Sequence, residues 1–255
     1  SAFTEYASNE YDVVIGHGFQ FGDPALEVGE LYPNTKFICI EADASAENVA
    51  SYVMKCEETG YLQGMLAAGM SQTGNIGFIG PVQGASLVKI MNGYEDGAKE
   101  VNADIKYQTA WTGSFTDTAL AKEAAQAMID NGADVIGHCA NESGTGALNA
   151  AQDAGVLATG DSYDQSSLAE NAVLSSAVYH VPELIKTAVS DIKEGKFKGE
   201  VKELGMAEGI VELVYNEKMA EEIPAEVKKL VDETEAKIKD GSFEVPCDTK
   251  DRAGK

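Results

Sequence analysis

The first stretch with the residue types of a ligand site is a glycine-rich turn, residues 16–22 (GHGFQFG), between a predicted strand and a predicted helix. A dinucleotide-binding turn needs glycines spaced G-x-G-x-x-G so that a pyrophosphate can approach the start of the helix. Here the third glycine comes one residue late, and two phenylalanines occupy the turn. Two alternatives follow: an ordinary turn, or an aromatic wall for a flat ligand, since ligands collect at the carboxyl ends of parallel strands.

Two further turns have similar composition. Residues 111–117 (WTGSFTD) follow a predicted strand, and Phe115 is placed either to face a cleft or to pack under the next helix. Residues 141–146 (NESGTG) follow another strand, and glycine amides at the start of a helix can bind an anion or a ligand carbonyl. The lysine of a phosphate-binding loop is absent, which argues against phosphoryl transfer.

The tripeptide Gly160-Asp161-Ser162 has the form of an esterase nucleophile motif. A nucleophilic serine needs a histidine base, normally oriented by an acid. The only later histidine, His180, has no evident orienting partner, so we do not predict an enzyme. Asp161, Tyr163 and Asp164 are instead predicted to offer acceptors and a ring to a polar ligand, with simple capping of the loop as the alternative.

The charge balance excludes several partners. The 255 residues include 19 Lys and Arg against 42 Asp and Glu, a formal charge of -23, which disfavours nucleic acid and anionic membrane surfaces. Four scattered cysteines and three histidines lack the clustering that zinc or iron–sulfur ligation requires, so we predict neither a metal nor a cofactor. We find no run of about 20 apolar residues and no signal-peptide pattern.

The elements that must position these turns alternate between strand and helix. Predicted strands cover residues 12–16, 36–41, 49–54, 75–80, 105–111, 134–139, 156–160 and 173–179. Predicted helices cover residues 2–8, 24–32, 57–71, 86–101, 117–131, 144–154 and 182–194. Most strands are rich in Val and Ile, and this alternation is typical of parallel sheets built from βαβ units.

The segments NEYDVVIGHG and NGADVIGHC resemble each other and suggest two similar lobes. We predict a first lobe of residues 1–74 and 179–203 and a second of 75–178 and 204–255, with crossovers near 71–75, 178–182 and 203–209. No βα unit is found ahead of DVVIG, so the first lobe is expected to lack its opening unit. The tail, residues 217–241, is predicted to form a surface helix whose buried stripe comprises Ile223, Val227, Leu230, Val231 and Ile238.

Six segments in order resemble the basic membrane protein family, the purine-nucleoside-receptor-like substrate-binding lipoproteins of ABC importers. These segments are GHGFQFGDPALEVGELYPNTKF, NVASYVMKCEETGYLQGMLAAGMSQTGNIGFIG, GSFTD, NGADVIGHCAN, DQSSLAENAVLSSAVYHV and GKFKG. The resemblance implies an α/β type I periplasmic-binding-protein fold, with two Rossmann-like lobes and a ligand sealed between them. It also implies an extracytoplasmic, monomeric protein, lipid-anchored or periplasmic, that passes a small molecule to an importer permease.

The resemblance implies an aromatic sandwich around a purine nucleoside, nucleobase or similar heterocycle, with Phe115, Phe19 and Phe21 in the matching turns. Ser162 stands where nucleoside binders have an Asp, unless Asp161 substitutes, and Tyr179 stands where they have a Lys. The expected ligand-binding residues are Phe19, Gln20, Phe21, Asp23, Trp111, Phe115, Asn141, Gly144, Asp161, Ser162, Tyr163 and Tyr179. The alternatives are a Rossmann-type nucleotide-cofactor enzyme and a ligand-sensing domain of the same fold.

Overall fold

A computed structural model describes residues 2–252, and in it the chain forms two compact α/β units. Residues up to Lys55 and His180–Ile210 form unit 1, while Cys56–Tyr179 and the residues from Val211 onward form unit 2. The strands are β1 (Val13–His17), β2 (Lys36–Ile40), β3 (Val49–Met54), β4 (Asn75–Gly80), β5 (Lys106–Trp111), β6 (Val135–His138), β7 (Leu157–Gly160), β8 (Val173–Tyr179), β9 (Val201–Leu204) and β10 (Val211–Tyr215). The helices are α1 (Ala2–Ser8), α2 (Gly22–Leu31), α3 (Cys56–Met70), α4 (Ala85–Val101), α5 (Thr118–Asp130), α6 (Gly144–Ala154), α7 (Val181–Lys193) and α8 (Ala225–Lys239).

Unit 1 is built on a four-stranded sheet in the order β1-β2-β3-β9, and every pairing in it is parallel. Strand β2 lies inside the sheet and is almost wholly buried, as its apolar sequence KFICI predicts. The core on one face contains Phe3 of α1, Phe37 of β2 and Val28 of α2. Asn48 fastens the turn after α2 because its side-chain amide donates to the carbonyls of Gly29 and Thr35, at 3.1 and 3.0 Å.

Unit 2 is built on a six-stranded sheet in the order β10-β8-β7-β6-β4-β5. Strand β10 runs antiparallel to β8, and the other pairings are parallel. Parallel strands end at one edge of a sheet, and in open α/β sheets that edge collects ligands. The carboxyl ends of β4 to β8 therefore lie along one edge, which we call the strand-end edge: residues 81–84, 112–117, 139–143, 161–165 and Tyr179.

Helices α3 and α4 pack with their backbones in contact. A β-carbon on Gly64 would overlap the carbonyl oxygen of Tyr94, and one on Gly97 would overlap the carbonyl oxygen of Tyr61. Such close approach is possible only at glycine. The buried pair Lys89–Glu57, 3.0 Å apart, joins the same two helices near their amino-terminal ends. This contact places α3 in unit 2, a grouping that differs from the predicted division, which assigned residues 56–74 to the first lobe.

The remaining boundaries follow local chemistry. Asp117 caps α5 as predicted, accepting the amide hydrogens of Ala119 and Leu120 at 3.0 and 3.4 Å, and Gly132 follows with φ of 94°. The predicted tail helix is present as α8, with Val231 and Ile238 buried and Val227 lying against Gly69. Leu230 was expected in the buried stripe, but its side chain is 43% exposed because the next residue, Val231, occupies the inward position. That part of the prediction is wrong.

Candidate functional site

The loops of the strand-end edge are hydrogen-bonded to one another. The amide of Thr112 donates to Gly80 at 2.9 Å, and the amide of Gly113 donates to Pro81 at 2.6 Å, which joins the loops after β4 and β5. The amide of Ser143 donates to the carbonyl of Phe115 at 3.0 Å, which joins the loops after β5 and β6. The edge is therefore a continuous, internally braced surface of unit 2.

Phe115 presents its ring to solvent from this surface. Phe115 is 38% exposed, which favours the prediction of a solvent-facing ring over the alternative of packing under α5. The hydroxyl of Ser114 accepts the amides of Thr116 and Asp117 at 3.2 and 3.0 Å, which fixes the turn on the carboxyl side of the ring. The backbone is thus held on both sides of Phe115 while the ring stays free to contact a ligand.

Trp111 behaves differently. Its ring lies against Gly80 so closely that a β-carbon there would overlap it. Its indole N–H is buried without a hydrogen-bond partner among the residues that the structure describes. Trp111 therefore packs the end of β5 against β4. The ligand contact predicted for it stays a prediction.

Asp161 is the most unusual acidic group of the edge because it is only 4% exposed. Tyr179 donates its hydroxyl to Oδ1 at 2.6 Å, and Ser162 donates its hydroxyl to Oδ2 at 2.7 Å. No ion pair joins Asp161 to a lysine or arginine within the described part of the chain. Burial raises the pKa of Asp161 to about 6, although both hydroxyl bonds oppose the rise.

Ser162 has a left-handed backbone, with φ of 71°, and this conformation turns its hydroxyl back onto Asp161. A non-glycine residue in that region is strained by about 1–3 kcal/mol, and such residues cluster at ligand sites. Tyr163 follows with its side chain 53% exposed. Asp164 accepts the amide and hydroxyl of Ser166 at 3.0 and 2.5 Å, so for this residue loop capping is what the structure shows.

The loop after β6 offers a ligand fewer free groups than expected. Asn141 is exposed and has φ of 51°, so its side chain remains available to a ligand. The amide of Gly144, in contrast, already donates to the carbonyls of Asn141 and Glu142. The turn that begins α6 thus uses this amide internally, and the ligand contact predicted for Gly144 stays a prediction.

In unit 1 the glycine-rich turn separates its two aromatics. Phe19 is 53% exposed at the carboxyl end of β1, and Gln20 and Asp23 are also exposed. Phe21 packs against the core, with its ring centroid 5.5 Å from that of Phe3. Phe19 is exposed as an aromatic wall would require, whereas Phe21 is partly buried and packs against the core; a ligand contact at either residue stays a prediction.

Two buried side chains near Asp161 were missed by sequence reasoning. His138, at the end of β6, and Gln165, in the loop after β7, lie 3.0 Å apart between Nε2 and Oε1. Burial lowers the pKa of His138 to about 4. The available signal was weak, because a polar pair 27 residues apart has no spacing that predicts contact.

Two surface concavities lie away from the strand-end edge. One, of about 430 Å³, follows a single face of α8, and the other, of about 440 Å³, lies at the amino-terminal ends of β1 and β2. No group of His, Cys, Asp and Glu that suits a metal ion occurs among residues 2–252. No helix in that range is both long and apolar enough to cross a membrane.

Comparisons with known proteins agree on one family. Residues 1–249 match the family described as ABC transporter substrate-binding protein PnrA-like. Basic membrane protein A2 of Borrelia garinii is 34% identical over 237 residues, covering 90% of this chain and 69% of that protein. A purine-binding protein of Brucella abortus is 32% identical over 225 residues, covering 88% of this chain and 63% of that protein.

The fold agrees with these matches. An ABC transporter solute-binding protein from Aeropyrum pernix superimposes with a TM-score of 0.84 at 25% identity, covering 97% of this chain and 81% of that one. The type I periplasmic-binding-protein fold, with two α/β lobes and parallel sheets, is thereby confirmed as the fold class.

Proposed function

The chain belongs to the PnrA-like family of ABC transporter substrate-binding proteins, and on that premise we propose that its ligand is a purine-class heterocycle. Members of this family are extracytoplasmic solute-binding components of transporters and not enzymes. The identity of the heterocycle, a free base or a nucleoside, is the finer part of the proposal.

The observation that carries the proposal is the pairing of an exposed ring with a buried acceptor on one edge of unit 2. Phe115 offers a flat apolar face, which suits stacking against an aromatic ligand. Asp161 offers carboxylate lone pairs that Tyr179 and Ser162 leave unused, since a carboxylate has about four acceptor positions. A purine supplies both a flat face and ring or exocyclic N–H donors.

The same hydrogen bonds favour a base over a nucleoside. The hydroxyls of Tyr179 and Ser162 already hold Asp161, and Tyr179 occupies the position where a lysine was expected in nucleoside binders. A ribose would therefore lack the lysine contact expected in nucleoside binders, whereas the ring N–H of a free base needs only a remaining lone pair of Asp161. Phe19, Asn141 and Tyr163 are proposed as further contacts, on the ground of their exposure at strand ends.

For the steps that follow ligand binding, we propose that the protein is a monomer held at the cell membrane by a lipid anchor. It would pass its ligand to the permease of an ABC importer. Family membership supports the transporter context. The acidic surface, with a formal charge of -23, makes direct adsorption to anionic lipid unfavourable, so an anchor would have to supply membrane attachment.

Isothermal titration calorimetry tests the ligand class. Adenine, guanine, hypoxanthine, adenosine, guanosine and glucose are titrated into the protein after any co-purified ligand has been removed by partial unfolding and refolding. We expect at least one base to bind more tightly than its nucleoside, and glucose not to bind. Binding of glucose with no response to any purine would contradict the proposal. Preference for nucleosides would contradict only the part that concerns Tyr179 and Ser162.

A further inference from the structure

A buried histidine and a buried glutamine connect three neighbouring strands beneath the strand-end edge. Oε1 of Gln165 lies 3.0 Å from Nε2 of His138 and also accepts the backbone amide of Asp161 at 2.9 Å. The backbone amide of Gln165 donates to the hydroxyl of Ser176 on β8 at 3.0 Å. One residue thus joins the end of β6, the loop after β7 and the middle of β8, and both side chains of the pair are about 1% exposed.

Two backbone amides determine the tautomer of His138 and the orientation of the Gln165 side-chain amide. The amide of Asp161 can only donate, so the atom of Gln165 that faces it must be the carbonyl oxygen. That oxygen in turn requires a hydrogen on Nε2 of His138. The amide of Ala140 donates to Nδ1 at 3.2 Å, so Nδ1 must carry a lone pair. His138 is therefore the neutral Nε2–H tautomer.

The surroundings leave little room for either side chain to move. A β-carbon on Gly144 would overlap the imidazole of His138. A β-carbon on Gly160 would lie 2.7 Å from the hydroxyl of Ser176 and 2.9 Å from Oε1 of Gln165. The carbonyl of Gly160 also accepts the side-chain amide of Gln63 from α3 at 2.8 Å. The peptide group that joins Gly160 to Asp161 is thus held by side chains at both its carbonyl and its amide.

We infer that His138 and Gln165 are positioning residues that fix the backbone of Asp161 and thereby the place of its carboxylate. The consequence for ligand binding rests on the proposed function, but the geometric part does not. Their effect is indirect, because Asp161 contacts Gln165 through its amide and would meet the ligand through its carboxylate. A pre-positioned carboxylate binds a donor without first having to be ordered.

The test compares two buried polar residues at opposite ends of one sheet. Gln165→Met keeps the length of the side chain but removes the acceptor from two buried donors. Asn216→Leu is the matched control: Asn216 is also buried, and its amide donates to Val173 at 2.8 Å and Glu170 at 3.1 Å, where β8 begins. The measurements are the pKa of Asp161 by carboxyl ¹³C NMR, the thermal midpoint, and the affinity for adenine.

We expect both variants to lower the thermal midpoint but only Gln165→Met to change Asp161. Its released loop should admit water, so the pKa of Asp161 should fall toward that of an ordinary aspartate, and adenine should bind roughly tenfold more weakly. Tyr179 and Cys139 face the carboxylate, but burial raises the pKa of each well above its usual range, so neither titrates near pH 6. An unchanged Asp161 in Gln165→Met, or an equal change in Asn216→Leu, would overturn the inference.

Two further outcomes separate the positioning role of His138 and Gln165 from the proposed purine ligand. If wild type binds no purine but Gln165→Met still lowers the pKa of Asp161, the positioning role stands and the proposed ligand is wrong. If Gln165→Met does not fold, ¹⁵N NMR of His138 in the wild-type protein decides the matter. The Nε2–H tautomer is expected, and the Nδ1–H tautomer would overturn the inferred network.

Discussion

The two units carry aromatic residues at the ends of parallel strands, but they support them in different ways. In unit 1 the turn after β1 exposes Phe19 and packs the partly buried Phe21 against the core. In unit 2 the loops are bonded to one another, and the edge that carries Phe115 also holds a buried carboxylate, Asp161, bonded to Tyr179, Ser162 and Gln165. If both edges contact the ligand as proposed, unit 2 would supply directional hydrogen bonds, whereas Phe19 of unit 1 would supply an apolar ring face.

This difference bears on selectivity. Stacking on an exposed ring tolerates many flat ligands, because every aromatic heterocycle has a similar face. A buried acceptor is far more selective, since a ligand that fails to supply a donor leaves a carboxylate dehydrated and unpaired. Changes in unit 2 should alter which ligand binds, and changes in unit 1 should alter mainly how tightly any ligand binds.

The largest expected effect is the loss of the carboxylate. Asp161→Ala removes the proposed acceptor and leaves the hydroxyls of Tyr179 and Ser162 without their partner, so adenine affinity should fall by about 100-fold or more. Calorimetry with adenine measures this. Asp161→Asn is the companion variant, since it keeps an acceptor for Tyr179 while removing the charge. An unchanged affinity in Asp161→Ala would remove the basis for calling unit 2 the selective side.

Phe21 tests the other side of the comparison. Phe21→Ala deletes a ring packed against Phe3 and the core, so the free energy of unfolding should fall by about 2 kcal/mol, below the range for a fully buried phenylalanine. Urea denaturation measures it. Phe19→Ala in the same turn is the control and should leave stability within about 0.5 kcal/mol. Equal losses in both variants would contradict the assignment of Phe21 to packing and Phe19 to the surface.

Two buried groups, Asp161 and His138, should change the free energy of unfolding in opposite directions as the pH rises. Asp161 has a raised pKa of about 6, so the folded state binds the extra proton and stability declines as pH rises from 4 through 6. His138 has a lowered pKa of about 4, so the unfolded state binds the extra proton and stability increases with pH up to about 6.5. The two slopes largely cancel in the wild-type protein.

Asp161→Asn should remove the first slope and leave the second. Its stability, relative to wild type, should increase as pH rises from 4 to 7, by roughly 2 kcal/mol in total. Urea titrations at a series of pH values provide the measurement. If the difference between variant and wild type were independent of pH, Asp161 would not be the buried, protonatable carboxyl that unit 2 contains.

The smallest effect is expected at Phe19. Phe19→Ala should weaken binding of adenine and of a larger flat heterocycle such as riboflavin by a similar few-fold factor, about 0.5–1.5 kcal/mol, because stacking does not distinguish them. Calorimetry with both compounds gives the ratio. A change in the ratio of the two affinities would assign selectivity to unit 1 and reverse the comparison.

Much of the scaffold is predictable from sequence because its strands are buried on both faces. Strands β3, β4 and β8 have the predicted bounds, since continuous Val- and Ile-rich runs mark strands covered by helices. Strands β9 and β10 have no such signal: VKEL and VELVY carry charges and are only partly buried. The predicted helix at residues 24–32 begins at Gly22 instead, because the short helical turn at Phe19–Phe21 leads directly into α2.

The site was less predictable. Phe19, Phe115 and Asp161 are found at strand ends because topology alone sends those residues there. Whether a strand-end aromatic faces water or core depends on what packs against it, and Phe21 differs from Phe19 in its contacts with Phe3 and the neighbouring core. The contact between His138 and Gln165 joins residues from different loops and is set by tertiary packing that no local pattern encodes.

The glycine contact between α3 and α4 has a consequence for mutational scanning. Gly64 and Gly97 carry no functional group, yet no side chain, even that of alanine, fits where each meets a carbonyl oxygen. A survey that scores only uptake would rank them with Asp161 as intolerant positions. Expression level or protease resistance would separate the two kinds of intolerance, since replacements of the glycines would deplete the protein itself, while the proposed role of Asp161 predicts that Asp161→Asn leaves folded protein with weakened ligand binding.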